Sequence, residues 1–298
     1  MINTVTLPPL RGRLKPRESL APSTWFRVGG AAEFLVRPAD CDDLCTFLRH
    51  LPLEMPITTI GAASNLIIRD GGINGVVIRL ARGFADVEVQ SDGLVVGAGA
   101  LDTTVAEHAA AAGLSGLEFL SGIPGTIGGA VAMNAGAYGS EIANILDWAE
   151  IVTREGQLHR LPVQDLDLSY RHSQLPPDAV VVRARLRALL GDKNMIAARM
   201  NEIRMKREAT QPVRARTGGS TFANPEGYKA WELIDQAGCR GLRRGDAQVS
   251  DLHCNFLLNL GAATATQLEA LGEDVRRRVA LQSGVTLRWE IKRIGVPV

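Results

Sequence analysis

Residues 116–141 read GLEFLSGIPGTIGGAVAMNAGAYGSE, and seven glycines fall within the first 24 of them. Glycine lets main-chain N–H groups approach a phosphate or the edge of a flat ring with no side chain in the way. Ile123, Ile127, Val131 and Met133 stand between the glycines, so the stretch is too apolar for a flexible linker. Glycine also weakens helices and strands, and neither is expected here. Backbone packed tightly against something large and flat accounts for the composition. A buried turn with no ligand is the plainer alternative.

A second glycine pattern is a decoy. Gly97-Ala98-Gly99 follows a strand-like run and precedes a helix-like one, with Glu118 about 20 residues on, as in a dinucleotide fingerprint. The third fingerprint position is Asp102, whose side chain would obstruct helix–strand packing and repel a pyrophosphate. The four cysteines, Cys41, Cys45, Cys239 and Cys254, form no CxxC pair and no zinc spacing. The five histidines form no HExxH, so no metal site is expected.

The elements that must hold these residues alternate between short strands and helices. Strand-like runs and turns fill residues 24–80, with a helix over 40–51 that puts Leu44, Phe47, Leu48 and Leu51 on one side. Ser91-Asp92-Gly93 predicts a hairpin turn. A helix is expected from Asp102 to Ala112, stopped by Gly113. Strands follow around AEIVTR, LHRL and VVVRARLRAL. Beyond Gly191-Asp192 a charged helix is expected over 194–208, and a last helix from a capping box at Thr266-Gln267-Leu268-Glu269 to Gly284. In the closing run LRWEIKRIG, Leu287, Trp289 and Ile291 share one face. The expected organisation is a loosely docked tail over 1–18 and a two-lobed domain over 19–190, its lobes near 19–80 and 81–190. A C-terminal α+β domain over 191–298 completes it.

The bulk numbers set bounds. With 298 residues, 46% hydrophobic and 22% charged, the chain has the composition of a soluble globular protein. A net charge of +1 creates no overall field for nucleic acid or membranes, and neither is an expected partner. Residues 191–298 carry 17 Lys and Arg against 12 Asp and Glu, which suits a small anionic ligand. No signal-like or membrane-spanning run is legible, so a cytoplasmic location is expected.

Several separated segments resemble one family. GAASNLIIRDGG (61–72) resembles the pyrophosphate loop of flavoproteins with the vanillyl-alcohol-oxidase (PCMH) type of FAD domain. The 116–141 segment is similar to the flavin-contacting segment of the UDP-N-acetylenolpyruvoylglucosamine reductase family. SYRHS (169–173), TGGSTFANP (217–225) and the closing RWEIKRIG resemble that family's arginine, serine and glutamate motifs. The likeness runs from residue 25 to residue 295, and the motifs occur in order. It implies an α+β fold in which a two-lobed FAD-binding domain precedes a C-terminal α+β substrate domain. It also implies noncovalent FAD, NADPH as co-substrate, and reduction of enolpyruvyl-UDP-GlcNAc to UDP-N-acetylmuramate, a peptidoglycan precursor. The implied FAD contacts are Gly61, Ala62, Ala63, Ser64, Asn65, Leu66, Gly122, Ile123, Pro124, Gly125, Thr126, Gly128, Gly129, Ala135 and Gly136. A monomer acting on small molecules is expected.

The implied chemistry gives each motif residue a task. Hydride from reduced flavin N5 adds to the enol ether's terminal carbon, and negative charge spreads into the neighbouring carboxylate. Fixed donors must meet that charge. Arg171, always protonated and fork-shaped, suits the carboxylate. Glu290 can help an enolate only as a protonated hydrogen-bond donor. Ser220, set beside Gly218-Gly219, is the implied proton donor to the carbanion. Tyr170 and Asn224 are substrate contacts by the motif match, and Arg214, Gln248 and His253 by position. Without the resemblance, these residues would read as a surface ion pair, a strand charge and a turn serine.

There are departures from the pattern. Ala62 stands where a glycine or similarly permissive residue is usual, and Ala223 replaces a frequent lysine. No tyrosine lies between Tyr170 and Tyr228, which matches the subclass lacking a tyrosine-bearing insert. The competing readings are an oxidase of the same FAD superfamily, a non-catalytic flavin module, and a Rossmann dehydrogenase.

Overall fold

A computed structural model describes residues 7–298. The chain divides into two compact units interleaved in sequence. The first comprises residues up to 16, 34–61 and 75–204; the second comprises 17–33, 62–74 and 205–298. Contiguous boundaries at 19, 81 and 191 therefore do not coincide with the contact-defined units. The segment read as a tail begins in the undescribed residues 1–6. Its remainder includes Arg13–Ser19, which is the edge strand of a four-stranded sheet.

That sheet runs in the order Arg13–Ser19, Ala31–Arg37, Ile73–Arg79, Ile57–Ile60. The last two strands are parallel, with Ile60 opposite Arg79. Helix Cys41–His50 belongs to the first unit. Asp40 caps it by accepting from Asp43 N–H, and Leu44, Phe47 and Leu48 are buried as the spacing predicts. These three pack with Val36, Val76 and Ile78.

The first unit also holds a five-stranded antiparallel sheet, ordered Leu158–Pro162, Leu146–Val152, Val180–Arg187, Gly93–Gly97, Val87–Gln90. The hairpin about Ser91-Asp92-Gly93 is present. Helix Asp102–Ala112 ends at Gly113 in the left-handed conformation. Val105, Ala106 and Ala109 join the core of this unit with Leu94, Val96, Ile127 and Val131.

The glycine-rich stretch does contain a helix, Ile127–Ala132, against the sequence expectation. Its two glycines lower its propensity, but tertiary packing overrides this, because Gly128 sits directly on Ala98.

In the second unit the strand Leu66–Ile68 pairs in parallel with Lys292–Ile294. Helix Ala265–Ser283 packs Leu268, Leu271, Val275 and Val279 against Phe26, Phe222, Leu287 and Ile291. Its capping box is displaced from the expected one. Thr264, not Thr266, accepts from Gln267 N–H, and the Gln267 side chain accepts from Thr264 N–H. The Thr266 hydroxyl donates instead to Asp70, whose carboxylate also accepts from the N–H groups of Ala265 and Thr266. Among the described residues no helix is long and apolar enough to cross a membrane, and no cluster of three metal-ligating side chains occurs.

Candidate active site

In the first unit the glycine-rich segment lies along the residues that follow strand Gly93–Gly97. Gly128 N–H donates to Ala98 O at 2.8 Å, Ile127 N–H to Ala100 O at 3.0 Å, and Asp102 N–H to Gly125 O at 3.2 Å. Backbone this close excludes side chains. A Cβ at Gly128 would stand 3.0 Å from Ala98 Cβ, and one at Gly125 would stand 2.6 Å from Asp102 Oδ2. One at Gly61 would collide with Thr126 Oγ1. Gly129 differs: its nearest neighbour would be Thr126 Oγ1 at an ordinary 3.6 Å. Packing does not demand glycine there, and a side chain would fill space that the bare main chain leaves open.

Asp102, which disqualified the dinucleotide fingerprint, lies beneath this segment. It is 0% exposed and neither carboxylate oxygen has a hydrogen-bond partner. Burial pushes its pKa up to about 8, opposed only in part by the nearby Gly125 main chain.

Arg171 is brought to the same segment. Its Nη2 donates to Gly136 O at 3.1 Å, and its guanidinium lies 5.1 Å from the centre of the Tyr170 ring. The turn presenting it is closed by Ser169 N–H to His172 O at 3.1 Å and His172 N–H to Ser169 O at 3.0 Å. Arg171 itself has a φ of +58°, a left-handed conformation uncommon outside glycine. Asn134 fixes this turn to the glycine segment. It is fully buried, donates to Ser169 O at 3.0 Å and accepts from Ala143 N–H at 2.9 Å. Sequence reasoning passed over Asn134; the available signal was an amide inside an apolar, glycine-rich run.

In the second unit three short segments align. Residues 220–223 lie between two neighbours. On one side Thr221 N–H donates to Asn255 O at 2.7 Å and Ser220 bridges Phe256. On the other side Glu290 N–H donates to Thr221 O at 2.9 Å and Ala223 N–H to Arg288 O at 2.9 Å. Ser220 and Glu290, 70 positions apart in the chain, thus stand on adjacent extended segments, both half-buried. Buried Asn255 locks this arrangement, accepting from Phe222 N–H at 2.9 Å and donating to Phe222 O at 2.8 Å. It too went unremarked in the sequence, although it is a polar residue in the apolar run CNFLLNL. Gly218 is required because a Cβ would strike the Phe26 ring, and Gly219 because its φ is +79°.

The loop Ala62-Ala63-Ser64-Asn65 is tied to the segment carrying Glu290 and Lys292. Lys292 N–H donates to Asn65 O at 3.1 Å, and Asn65 Nδ2 donates to Glu290 O at 3.3 Å. The strained residue of this loop is Ala63, with a φ of +52°, rather than Ala62.

The remaining expected contacts are more scattered. Asn224 Oδ1 accepts from Ala230 N–H at 3.0 Å, which commits that oxygen to the start of helix Ala230–Gln236. His253 packs edge-on against Phe256 with ring centres 4.8 Å apart, and burial lowers its pKa. Buried Gln248 donates to Asp251 at 3.1 Å and pairs with Leu258, a strand away from Ser220. Arg214 is exposed and makes no hydrogen bond or ion pair among the described residues.

Comparison with known proteins decides the family. Residues 211–294 match the family model for the C-terminal domain of UDP-N-acetylenolpyruvoylglucosamine reductase. Over 291 residues the chain is 67% identical to the reductase of that name from Acidiphilium cryptum, covering 98% of this chain and 94% of the relative. The chain belongs to the UDP-N-acetylenolpyruvoylglucosamine reductase family. The Gluconobacter oxydans reductase is 65% identical over 286 residues, 96% of this chain and 94% of the relative. The crystal structure of the Thermus caldophilus reductase superposes with a TM-score of 0.82 at 37% identity, covering 96% of this chain and 99% of that one. Residues 32–162 match an FAD-binding domain, so the chain is an oxidoreductase with an α+β, FAD-binding fold. The residues present suit that cofactor. Gly129 leaves main chain bare beside open space, and the positively charged Arg171 stands at Gly136 of the same segment.

Proposed function

We propose that the protein reduces enolpyruvyl-UDP-GlcNAc to UDP-N-acetylmuramate with electrons from NADPH, as a cytoplasmic monomer in peptidoglycan precursor synthesis. The observation that supports this reading is the alignment of residues 220–223 with the segment bearing Glu290, which brings the main chain of the motif serine next to that of the motif glutamate. Neither a dehydrogenase nor a passive flavin carrier needs that pair. The main chain of residues 122–136 would hold FAD; bound there, it supplies the hydride. Arg171 binds the substrate carboxylate and stabilises the charge that develops on it. Its side chain is already oriented by Gly136 O and the Tyr170 ring. Glu290, if protonated as its motif implies, acts as a hydrogen-bond donor. The Ser220 hydroxyl gives its proton to the carbon next to the carboxylate, a transfer that works only against a strongly basic carbanion.

The test begins with an absorbance spectrum of the purified protein and an anaerobic NADPH titration with and without enolpyruvyl-UDP-GlcNAc. Bleaching by NADPH and recovery of the oxidised spectrum on adding the enolpyruvyl compound are expected. In Ser220→Ala, bleaching should persist and recovery should be lost by about 10²-fold or more. Equal loss in both half-reactions would refute the assigned role.

A further inference from the structure

Arg37 and Arg79 end two neighbouring strands of the four-stranded sheet in the first unit. Both side chains are half-buried, and Arg37 Nε is shut off from solvent with no hydrogen-bond partner. Neither arginine makes a hydrogen bond or ion pair among the described residues. Burial lowers the pKa of Arg79, and the nearby positive charge of Arg37 lowers it further, with no carboxylate close enough to oppose either effect. Guanidinium groups partly withdrawn from water beside a like charge, without a counter-ion, are an unfavourable arrangement. Their presence calls for an anion. Position narrows the choice. Arg79 lies opposite Ile60, the last strand residue before Gly61, at the carboxyl end of a parallel pair. Ligands of α/β sheets bind outside those ends. Two forked, permanently charged donors fit the tetrahedral oxygens of a phosphoryl group.

We propose that Arg37 and Arg79 together bind a phosphoryl group of a nucleotide. The site goes beyond the reductase reading, and only its NADPH arm rests on that reading. Its phosphoryl group comes from the flavin dinucleotide or from the 2′-phosphate that distinguishes NADPH from NADH. The experiment compares wild type with R37Q, R79Q and R37Q/R79Q. FAD affinity of the apoprotein is measured by flavin fluorescence at low and moderate salt, together with KM for NADPH and for NADH. If FAD is the source, the double variant binds FAD about 10- to 100-fold more weakly, with less salt dependence. If NADPH is the source, FAD affinity holds while the NADPH preference over NADH falls about tenfold. Unchanged FAD affinity and unchanged NADPH preference would overturn the proposal. Should the double variant fail to fold, the wild-type apoprotein decides through its melting temperature with inorganic pyrophosphate. A rise that R79K reduces supports the site, and no rise overturns it.

Discussion

Asp102 offers a test with a sign and a size. Its carboxyl group is fully buried, has no hydrogen-bond partner, and holds its proton to about pH 8 instead of the ordinary 3.8. In the unfolded chain it ionises above 3.8. Between these two values the native state therefore binds more protons than the unfolded state, and stability falls as pH rises. The contribution is present in full below 3.8, declines through neutrality and levels off above about 8. Each pH unit in that window is worth about 1.4 kcal/mol, so by pH 7 the loss is at most about 4 kcal/mol. Asp102→Asn removes the titration and keeps the shape. The amide's own packing cost does not vary with pH, so the informative quantity is a slope. The stability of the Asp102→Asn variant minus that of wild type should climb by about 1 kcal/mol per unit from pH 5 to pH 8. Urea unfolding of the apoprotein at four pH values, read as midpoints at constant m, measures it. A difference that stays flat across the series would mean that the carboxyl group is not held neutral, and the account of this site would be wrong.

Three further expectations follow from individual contacts. Gly129→Ala should fold with wild-type stability, because an added Cβ meets nothing closer than 3.6 Å, yet purify with much less flavin; absorbance at 280 nm and in the flavin band checks both. Asp70→Asn should destabilise the second unit by about 1 kcal/mol, since the carboxylate accepts three hydrogen bonds at the start of helix Ala265–Ser283. Burial pushes the Asp70 pKa up, but the Thr266 and Ala265 donors outweigh it and hold it below its usual value. Its stabilisation is therefore present near neutrality and disappears as pH falls through the carboxylate range, which urea midpoints at pH 7 and pH 3 would register. Ala63→Gly should stabilise by up to about 1 kcal/mol, because a φ of +52° is unfavourable for alanine; a rise in melting temperature is the readout.

What the sequence disclosed and what it withheld divide along the range of the forces involved. Helix Cys41–His50 and the hairpin at Ser91-Asp92-Gly93 were legible because periodicity, caps and turn residues act over a few positions. The helix Ile127–Ala132 was not, because the reason for Gly128 is Ala98, far back in the chain. The start of helix Ala265–Ser283 was misplaced by two residues for a similar reason. Thr264 and Thr266 both stand three before a suitable Gln or Glu, and it is Asp70 that occupies Thr266 and leaves Thr264 to cap. The motif carrying Ser220 could be recognised, but nothing near residue 220 says that its strand lies against residue 290. On the opposite side the same segment is held by Asn255, whose amide bonds both polar groups of the Phe222 main chain. Asn134 does the corresponding work for Arg171. In each unit, then, the segment carrying a residue of the proposed site is held by a buried asparagine remote in sequence from it. An unpaired buried amide is costly, so neither asparagine tolerates a shift of the strand or turn it grips. Replacing either with an apolar residue of similar size should consequently loosen the site more than it destabilises the fold.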